Sequence, residues 1–199
     1  ILGFPGEGEP GKGWGNRLNF APDGTLYAAT FHQGLWKSPD AGDNWEFVGL
    51  GDKFLTNVLT DPDDANRLLV SARESRQDSN RRGGLYESRD GGKSWNCLLK
   101  QSVFSLDRSS LRADWLLANC GKEGILFSED RGGNWRKLPL RKEMNDFHEV
   151  KFQPGREPRI WASVPGEGAL LFYTDDFGKN WVQPAANFKQ ALRYPGDWY

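Results

Sequence analysis

The residues of this sequence best suited to binding a ligand are arginines in one predicted loop. The segment 72–83, which reads ARESRQDSNRRG, carries four of them: Arg73, Arg76, Arg81 and Arg82. A guanidinium group binds a carboxylate or a phosphate through two parallel hydrogen bonds, so this cluster could hold an anionic ligand. The simpler interpretation is an ordinary surface loop whose charged side chains are solvated. The sequence leaves both interpretations, anion binding and a solvated loop, open.

Acidic side chains in the other predicted loops are weaker candidates for catalysis. They are Asp52, Asp146, Glu149 and Glu167. Hydrolysis of a glycosidic bond uses two carboxylates about 5 to 10 Å apart, and these four are placed where such a pair could form. Ordinary surface charge explains them equally well, and no motif marks a nucleophile or a phosphate-binding loop. The catalytic residues therefore stay unknown at this stage.

Aromatic and histidine side chains near the same loops complete the set of candidates. We expect Phe31 and His32 to contact a ligand, and Phe54 could stack on a sugar ring or simply pack in the core. The sequence has two histidines, His32 and His148, and they lack the spacing of a zinc site. Its two cysteines cannot form a dense disulfide framework. We expect no metal site and no cofactor.

One eight-residue motif organises the elements that must position these side chains. It reads Ser/Thr-x-Asp-x-Gly-x-x-Trp and occurs four times without substitution. The Asp can accept backbone N–H groups, the Gly can adopt a positive φ, and the Trp has a large ring to bury. Each copy is therefore expected to be a hairpin turn. The fixed residues of the copies are Ser38, Asp40, Gly42, Trp45, Ser88, Asp90, Gly92, Trp95, Ser128, Asp130, Gly132, Trp135, Thr174, Asp176, Gly178 and Trp181.

Four short strand patterns surround each copy of the motif, and no stretch keeps a helical period for ten residues. Such units, repeated about every 45 residues, predict an all-β protein: a β-propeller of four-stranded antiparallel blades. About four blades are present, as an arc of a larger propeller; a small ring closed by the termini is the alternative. The expected segments are a Gly/Pro-rich connection (1–14), four blades (15–49, 50–100, 101–141, 142–187) and the start of a further blade (188–199).

Charge and hydropathy exclude several classes of function. The net charge is -1, which gives no reason to expect nucleic acid as a partner. No run of apolar residues is long enough for a transmembrane helix, so we do not expect the chain to span a membrane.

The repeated motif resembles the Asp-box, also known as the bacterial neuraminidase repeat. Sialidases, xyloglucan-cleaving glycoside hydrolases, sortilin-like receptors and a photosystem II assembly factor carry it. The segments 15–45 and 59–72 are most similar to the xyloglucanase-type propellers. The sialidase signature Phe/Tyr-Arg-Ile-Pro is missing, since the segment 158–161 reads PRIW. No catalytic residue can therefore be transferred from these families, although a sialidase-like or xyloglucanase-type fold is implied.

The resemblance implies where a ligand should bind. In such propellers the Asp-box turns lie at one end of the blades, and the ligand site lies at the other. We therefore expect a carbohydrate-active propeller, glycan-binding or glycoside-hydrolase-like, whose ligand lies opposite the Asp-box turns. A non-catalytic scaffold or receptor for a protein partner is the alternative, and whether the chain is an enzyme stays open. The resemblance also implies an extracellular or periplasmic location and a larger chain around this one.

Overall fold

All regular structure in the described part of the chain is β-strand, apart from one 3-10 turn at Gly121–Glu123. The computed structural model describes residues 17–74, 82–144, 146–164 and 170–184. Its fifteen strands are β1 Arg17–Phe20, β2 Leu26–Thr30, β3 Gly34–Ser38, β4 Glu46–Gly49, β5 Phe54–Thr60, β6 Leu68–Arg73, β7 Gly84–Ser88, β8 Asn96–Leu99, β9 Ser105–Arg108, β10 Leu116–Asn119, β11 Ile125–Ser128, β12 Arg136–Lys137, β13 Glu149–Phe152, β14 Ile160–Val164 and β15 Leu170–Thr174.

These strands form four antiparallel sheets, each a meander in chain order. Sheet 1 contains β1–β4, sheet 2 contains β5–β8, sheet 3 contains β9–β12 and sheet 4 contains β13–β15. In sheet 4, one bridge between Tyr173 and Val182 stands where the other sheets have a fourth strand. Sheets 1 to 3 contain the four strands per unit that the sequence patterns predict. This is the architecture of a partial propeller, so the expected fold class is confirmed.

The chain divides into two compact units, residues 1–106 and 107–199. Each unit has its own apolar core. In the first unit, buried side chains of sheets 1 and 2 form one cluster, centred on Leu35, Leu55 and Leu68. In the second unit, Phe127, Phe172 and their neighbours in sheets 3 and 4 form another. Burial of alternating side chains on facing sheets is therefore what holds each pair of sheets together.

Some sequence-based expectations need comment. The segment 1–14 and the predicted start of a further blade at 188–199 lie outside the described residues. Both cysteines are free thiols: Cys97 is exposed on β8, and Cys120 is buried just after β10. The fourth strand of sheets 1 to 3 begins one residue after the motif Trp.

Candidate functional site

The four Asp-box copies are closed hydrogen-bonded turns. In the first copy, the Ser38 hydroxyl donates to Asp40 Oδ1 at 2.8 Å and accepts from the Gly42 N–H at 2.8 Å. Asp40 Oδ1 also accepts from the Asn44 N–H, and Asp40 Oδ2 accepts from the Asn44 side chain. The same pattern occurs in the copies that start at Ser88, Ser128 and Thr174. These carboxylates hold the turn, so their chemistry is structural.

Hydrogen bonding keeps the Asp-box carboxylates ionised. The side-chain and backbone hydrogen bonds from Ser94 lower the pKa of Asp90 to about 2. Asp40, Asp130 and Asp176 also have a lowered pKa, and in each the asparagine four residues on is the main cause. A donor at this position recurs in all four copies as Asn44, Ser94, Asn134 and Asn180. That regularity is visible in the sequence, although we did not assign these residues a role.

The motif tryptophans differ in how their indole N–H groups are satisfied. Trp45 and Trp135 donate to the carbonyl of the motif glycine, at 3.1 and 2.9 Å. Trp181 donates instead to Pro139 O at 2.8 Å, and the buried Nε1 of Trp95 has no hydrogen-bond partner. The motif therefore specifies a Trp at this position, but it does not specify the hydrogen-bond acceptor of the indole N–H.

The opposite end of sheets 1 and 2 brings several predicted ligand residues together. Phe31 stacks on Phe54 with ring centroids 4.7 Å apart, and His32 meets both rings edge-on. The Arg73 guanidinium lies over the Phe31 ring, 4.6 Å from its centroid. We call Phe31, His32, Phe54 and Arg73 the aromatic–arginine cluster. His32 is exposed, Phe31 and Arg73 are partly exposed, and Phe54 is buried.

Local structure explains why these four side chains meet. Phe54 begins β5 and Arg73 ends β6, and the two residues are direct partners in the antiparallel ladder. Phe31 and His32 lie in the β2–β3 turn, which is closed by hydrogen bonds from Thr30 Oγ1 to Gly34 O and from the Gln33 N–H to Thr30 Oγ1. Both strand ends and the turn lie away from the Asp-box turns because the sheets are meanders.

Gly34 sets how closely the β2–β3 turn approaches the loop after β4. Its φ is +76°, and a Cβ atom there would lie 2.5 Å from Gly49 O. Only glycine fits a positive φ at such a backbone contact. The turn that carries Phe31 and His32 is therefore held against the loop that leads into β5.

A second set of charged groups lies beside the cluster. Lys53 Nζ is 2.6 Å from Asp52 Oδ2 and 5.9 Å from the centre of the Tyr86 ring. The Lys53 side chain is 16% exposed, whereas that of Asp52 is 70% exposed. Asp52 is thus engaged with an adjacent cation at the surface. Arg82, at the far end of the arginine-rich loop, is exposed.

The arginine-rich loop is described at its two ends. Arg76 and Arg81 lie outside the described residues, as does Glu167. Beyond Arg73, the chain is anchored by a hydrogen bond from the Glu74 N–H to Ser102 Oγ at 2.8 Å. The Val103 N–H also donates to Ala72 O at 2.9 Å. These hydrogen bonds hold the backbone on both sides of Arg73, at the end of β6.

The remaining carboxylate candidates lie in the second unit. Asp146 Oδ1 accepts a hydrogen bond from the Phe147 N–H at 2.9 Å, in the segment that precedes β13. Glu149 Oε1 is 3.8 Å from Lys151 Nζ, and Lys151 Nζ is 3.0 Å from Asp107 Oδ1. The pKa of Asp107 is raised overall, because the effect of burial outweighs the opposing effect of the adjacent Lys151. We did not single out Asp107 from the sequence, because it reads as an ordinary strand residue.

A buried ionic network in sheet 2 also escaped the sequence analysis. The Arg67 guanidinium contacts Asp61 Oδ2 and Glu87 Oε1, both at 2.7 Å, and all three side chains are at most 7% exposed. Burial raises the pKa of Glu87, but hydrogen bonds from Arg89 and Arg67 outweigh it, so the pKa is lowered overall. The network joins the β5–β6 turn to β7 at the Asp-box end, so its role is structural.

Two open clefts lie at the Asp-box end of sheet 3. One, of about 310 Å³, is lined by Phe127, Glu129 and Arg136 among others. The other, of about 540 Å³, lies between Leu111, Arg112 and Arg131. The resemblance placed ligand at the other end, so neither cleft was expected. Within the described ranges no group of His, Cys, Asp and Glu could hold a metal ion, and no helix could span a membrane.

One curated protein resembles this chain in sequence, while no family model matches it. The relative is the chloroplastic photosystem II stability/assembly factor HCF136 of Arabidopsis thaliana, 26% identical over 137 residues. The similarity covers 64% of this chain but only 30% of that relative.

Solved propellers match most of the chain. The GH74 xyloglucanase from Xanthomonas campestris has a TM-score of 0.68 at 18% identity, covering 88% of this chain and 31% of that one. The GH74 enzyme of Niastella koreensis has a TM-score of 0.62 at 19% identity, and the match covers 84% of this chain and 24% of that enzyme's chain. A structure of YCF48 bound to D1 peptide has a TM-score of 0.60 at 16% identity, covering 87% of this chain and 53% of that one. The chain thus has the same propeller fold, here built on Asp-box repeats, as the GH74 enzymes and YCF48, and it resembles the assembly factor HCF136 in sequence.

Proposed function

We propose that this chain is a non-catalytic binding propeller whose aromatic–arginine cluster holds an acidic segment of a protein partner. The observation that carries the proposal is the Arg73 guanidinium lying on Phe31 beside His32 and Phe54. This reverses the order expected from the sequence, where the carbohydrate-active function came first.

The stacked arrangement suits recognition of a carboxylate. A guanidinium that lies flat on an aromatic ring uses its face for the ring, while its N–H donors point outward in the guanidinium plane. Stacking also restricts the rotamers of the long side chain, which lowers the entropy lost when a ligand binds. The aromatic rings beside it can contact apolar atoms of the same peptide.

The contacts of the candidate carboxylates favour binding over hydrolysis. Asp52 contacts Lys53, and Asp146 accepts a hydrogen bond from the backbone directly after it. Glu149 lies near Lys151, which also contacts Asp107. A glycosidase needs one carboxyl to act as an acid and a second as a base or nucleophile. Among the described loop candidates, each carboxylate already has a structural contact.

The similar proteins support a protein partner. HCF136 is named as an assembly factor, and YCF48 has been solved with a D1 peptide. This chain spans less than a third of HCF136 and about half of YCF48, so a partner for it is part of the proposal.

Synthetic peptides test the proposal without knowledge of the natural partner. Labelled peptides with two or three Asp or Glu residues and a free C-terminus would be compared with Asn/Gln versions that end in an amide, by fluorescence anisotropy. We expect the acidic peptides to bind and their affinity to fall with salt, because charged groups carry the contact. The proposal would be contradicted if both sets of peptides bound equally well, or if neither set bound.

A glycan-active site is the second candidate, and Asp107 is the observation that favours it. Its pKa is raised by burial, and Lys151 Nζ lies 3.0 Å from Asp107 Oδ1 and 3.8 Å from Glu149 Oε1, so a carboxyl group with a raised pKa belongs to the same cluster as a second carboxyl group. Incubation with xyloglucan and other β-glucans, followed by a reducing-sugar assay, tests this function. Activity that disappears in Asp107→Asn but survives in Asp114→Asn would support it. We also propose an extracellular or periplasmic location, which cell fractionation of the source organism would test.

A further inference from the structure

The Asp-box end of sheet 3 holds aromatic rings where sheet 2 holds a buried ion pair. In sheet 2, Arg67 and Glu87 come directly before the two residues that pair at the start of the Asp-box, and their charged groups are 2.7 Å apart. The same two positions in sheet 3 are Trp115 and Phe127, whose ring centroids are 5.4 Å apart. Phe177, from the Asp-box turn of sheet 4, contacts both rings. We call these three rings the sheet 3 aromatic cluster; the fold does not require it, because sheet 2 forms the same turn without it.

Two arginines lie on the sheet 3 aromatic cluster. The guanidinium carbon of Arg112 is 4.7 Å from the centre of the Trp115 ring. That of Arg136 is 4.7 Å from the centre of Phe127 and 5.3 Å from that of Phe177. Both arginines are exposed, so the side of each guanidinium that faces away from the rings is open to solvent. Because a guanidinium is weakly hydrated and stacks on aromatic faces, this open side can take a second ring.

The cleft beside Arg112 carries balanced charges. It has a volume of about 540 Å³, and its lining includes Asp114, Glu129 and Arg131. Arg131 Nε lies 2.5 Å from Asp114 Oδ1. The side chains of Asp114 and Glu129 are 59% and 61% exposed, so they repel a carboxylate, whereas the two arginines repel a cation. An uncharged ligand therefore fits this cleft better than an acidic or a basic one.

The turn that forms one wall of this cleft is held in place by Glu157. The Glu157 carboxylate accepts hydrogen bonds from the Ser109 hydroxyl and from the Ser110 N–H, the latter at 2.8 Å. Ser109 Oγ in turn accepts from the Arg112 N–H at 2.8 Å. Leu111, on the same turn, is 64% exposed and lines the cleft. A wall that is already held loses little conformational entropy when a ligand binds.

The cleft is remote from the strand ends that lead to undescribed residues of the same unit. Residue 145 and the segments 165–169 and 185–199 connect to ends of the sheet 4 strands that lie away from its Asp-box turn. Sheet 3 itself is preceded and followed in the chain by described sheets. The open side of Arg112 therefore lies at the described end of a described sheet.

We propose that this cleft binds an uncharged segment of a protein partner through one aromatic side chain, which stacks on the open side of the Arg112 guanidinium. The partner ring and Trp115 then enclose the guanidinium from both sides, and Leu111 contacts the edge of the partner ring. The in-plane N–H donors of Arg112 bond to backbone carbonyl oxygens of the same segment. A sugar ring is less suited, because the guanidinium already covers the Trp115 face on which it would stack. This site is separate from the aromatic–arginine cluster and goes beyond the proposed function.

Two pools of uncharged peptides test the proposal. Both consist of acetylated and amidated hexapeptides of Gly, Ser, Pro and Leu, with Trp or Tyr at the third position in one pool and Ala there in the other. Titration into the ¹⁵N-labelled 199-residue chain, followed by NMR of the arginine Nε–H signals, measures binding. We expect the aromatic pool to shift the Arg112 signal and to bind at least about tenfold more tightly than the Ala pool. If the two pools bind equally, or if neither binds, the proposal is wrong.

Arginine variants separate stacking from charge. Arg112→Ala should weaken binding of the aromatic pool at least about tenfold, and Arg112→Lys should not restore it, because an ammonium group has no planar face. Arg89→Ala is the matched control, since Arg89 is a 70% exposed arginine in an Asp-box turn that contacts Glu87. Arg73→Ala should also leave binding unchanged, so a failure here is distinguishable from a failure of the proposed function. Full binding by Arg112→Lys, or tighter binding of a cello-oligosaccharide than of the aromatic pool, would overturn the proposal.

Discussion

The guanidinium of Arg73 and the ring of Phe31 form a stacked pair, 4.6 Å from the charged carbon to the ring centroid. The two residues come from different sheets, Phe31 from the β2–β3 turn and Arg73 from the end of β6. The pair therefore ties sheet 1 to sheet 2 at the end opposite the Asp-box turns. Because Arg73 begins the arginine-rich loop, the same contact orients the start of that loop.

Gly92 should tolerate substitution far less than Gly24. Both have a positive φ, +92° and +89°, but a Cβ at Gly92 would lie 2.1 Å from Val48 Cγ1, whereas one at Gly24 would meet nothing within 4 Å. We expect Gly24→Ala to cost about 1 kcal/mol of unfolding free energy and Gly92→Ala about 3 kcal/mol or more. Urea unfolding measures both. Equal losses would show that the approach of the second Asp-box to Val48 contributes nothing.

Stability should fall in acid as the Asp-box carboxylates are protonated. The pKa of Asp90 is about 2 in the folded chain, below the ordinary value of about 3.9 in an unfolded one. Its contribution is therefore complete above about pH 4 and is lost as the pH falls through about 2. Urea unfolding at several pH values in this range should show the decline. In Asp90→Asn the decline should be smaller, and an unchanged slope would contradict the assignment.

The buried network in sheet 2 should depend on Arg67 and hardly on Arg89. Arg67→Leu removes the guanidinium that both Asp61 and Glu87 contact in the interior, which should cost about 3 to 5 kcal/mol. Arg89 also contacts Glu87, but its side chain is 70% exposed, so Arg89→Leu should cost less than about 1 kcal/mol. Thermal and urea unfolding of the two variants would compare them. Similar losses would mean that burial does not determine the strength of these ion pairs.

The repeat made the fold predictable from the sequence. The motif fixes where each third strand ends, since Ser38, Ser88, Ser128 and Thr174 are all last residues of strands. The turn geometry also followed, because the short range of the Ser, Asp and Gly contacts leaves few alternatives. The contacts between sheets were not predictable. The ties from Thr60 to Phe20 and from Lys151 to Asp107 join residues about 40 positions apart, with no local pattern to mark them.

The candidate site was predictable only in part. Phe31, His32 and Arg73 were named from their loop positions, and they do meet. That Phe54 stacks under Phe31 depends on how the β2–β3 turn is held against the loop after β4, which Gly34 permits. Asp107 and Arg67 were missed because burial, and not residue type, makes them unusual. Such effects depend on three-dimensional surroundings that a single sequence does not reveal.

The affinity of an acidic peptide for Arg73 variants tests the central claim most directly. Arg112 provides a matched control, since its guanidinium lies 4.7 Å from the centre of the Trp115 ring in the other unit. Fluorescence anisotropy would compare the unaltered chain with Arg73→Ala, Arg73→Lys and Arg112→Ala. We predict that Arg73→Ala weakens binding at least about tenfold, that Arg73→Lys recovers part of it, and that Arg112→Ala leaves it unchanged. Binding that survives Arg73→Ala, or that falls equally in Arg112→Ala, would contradict the account.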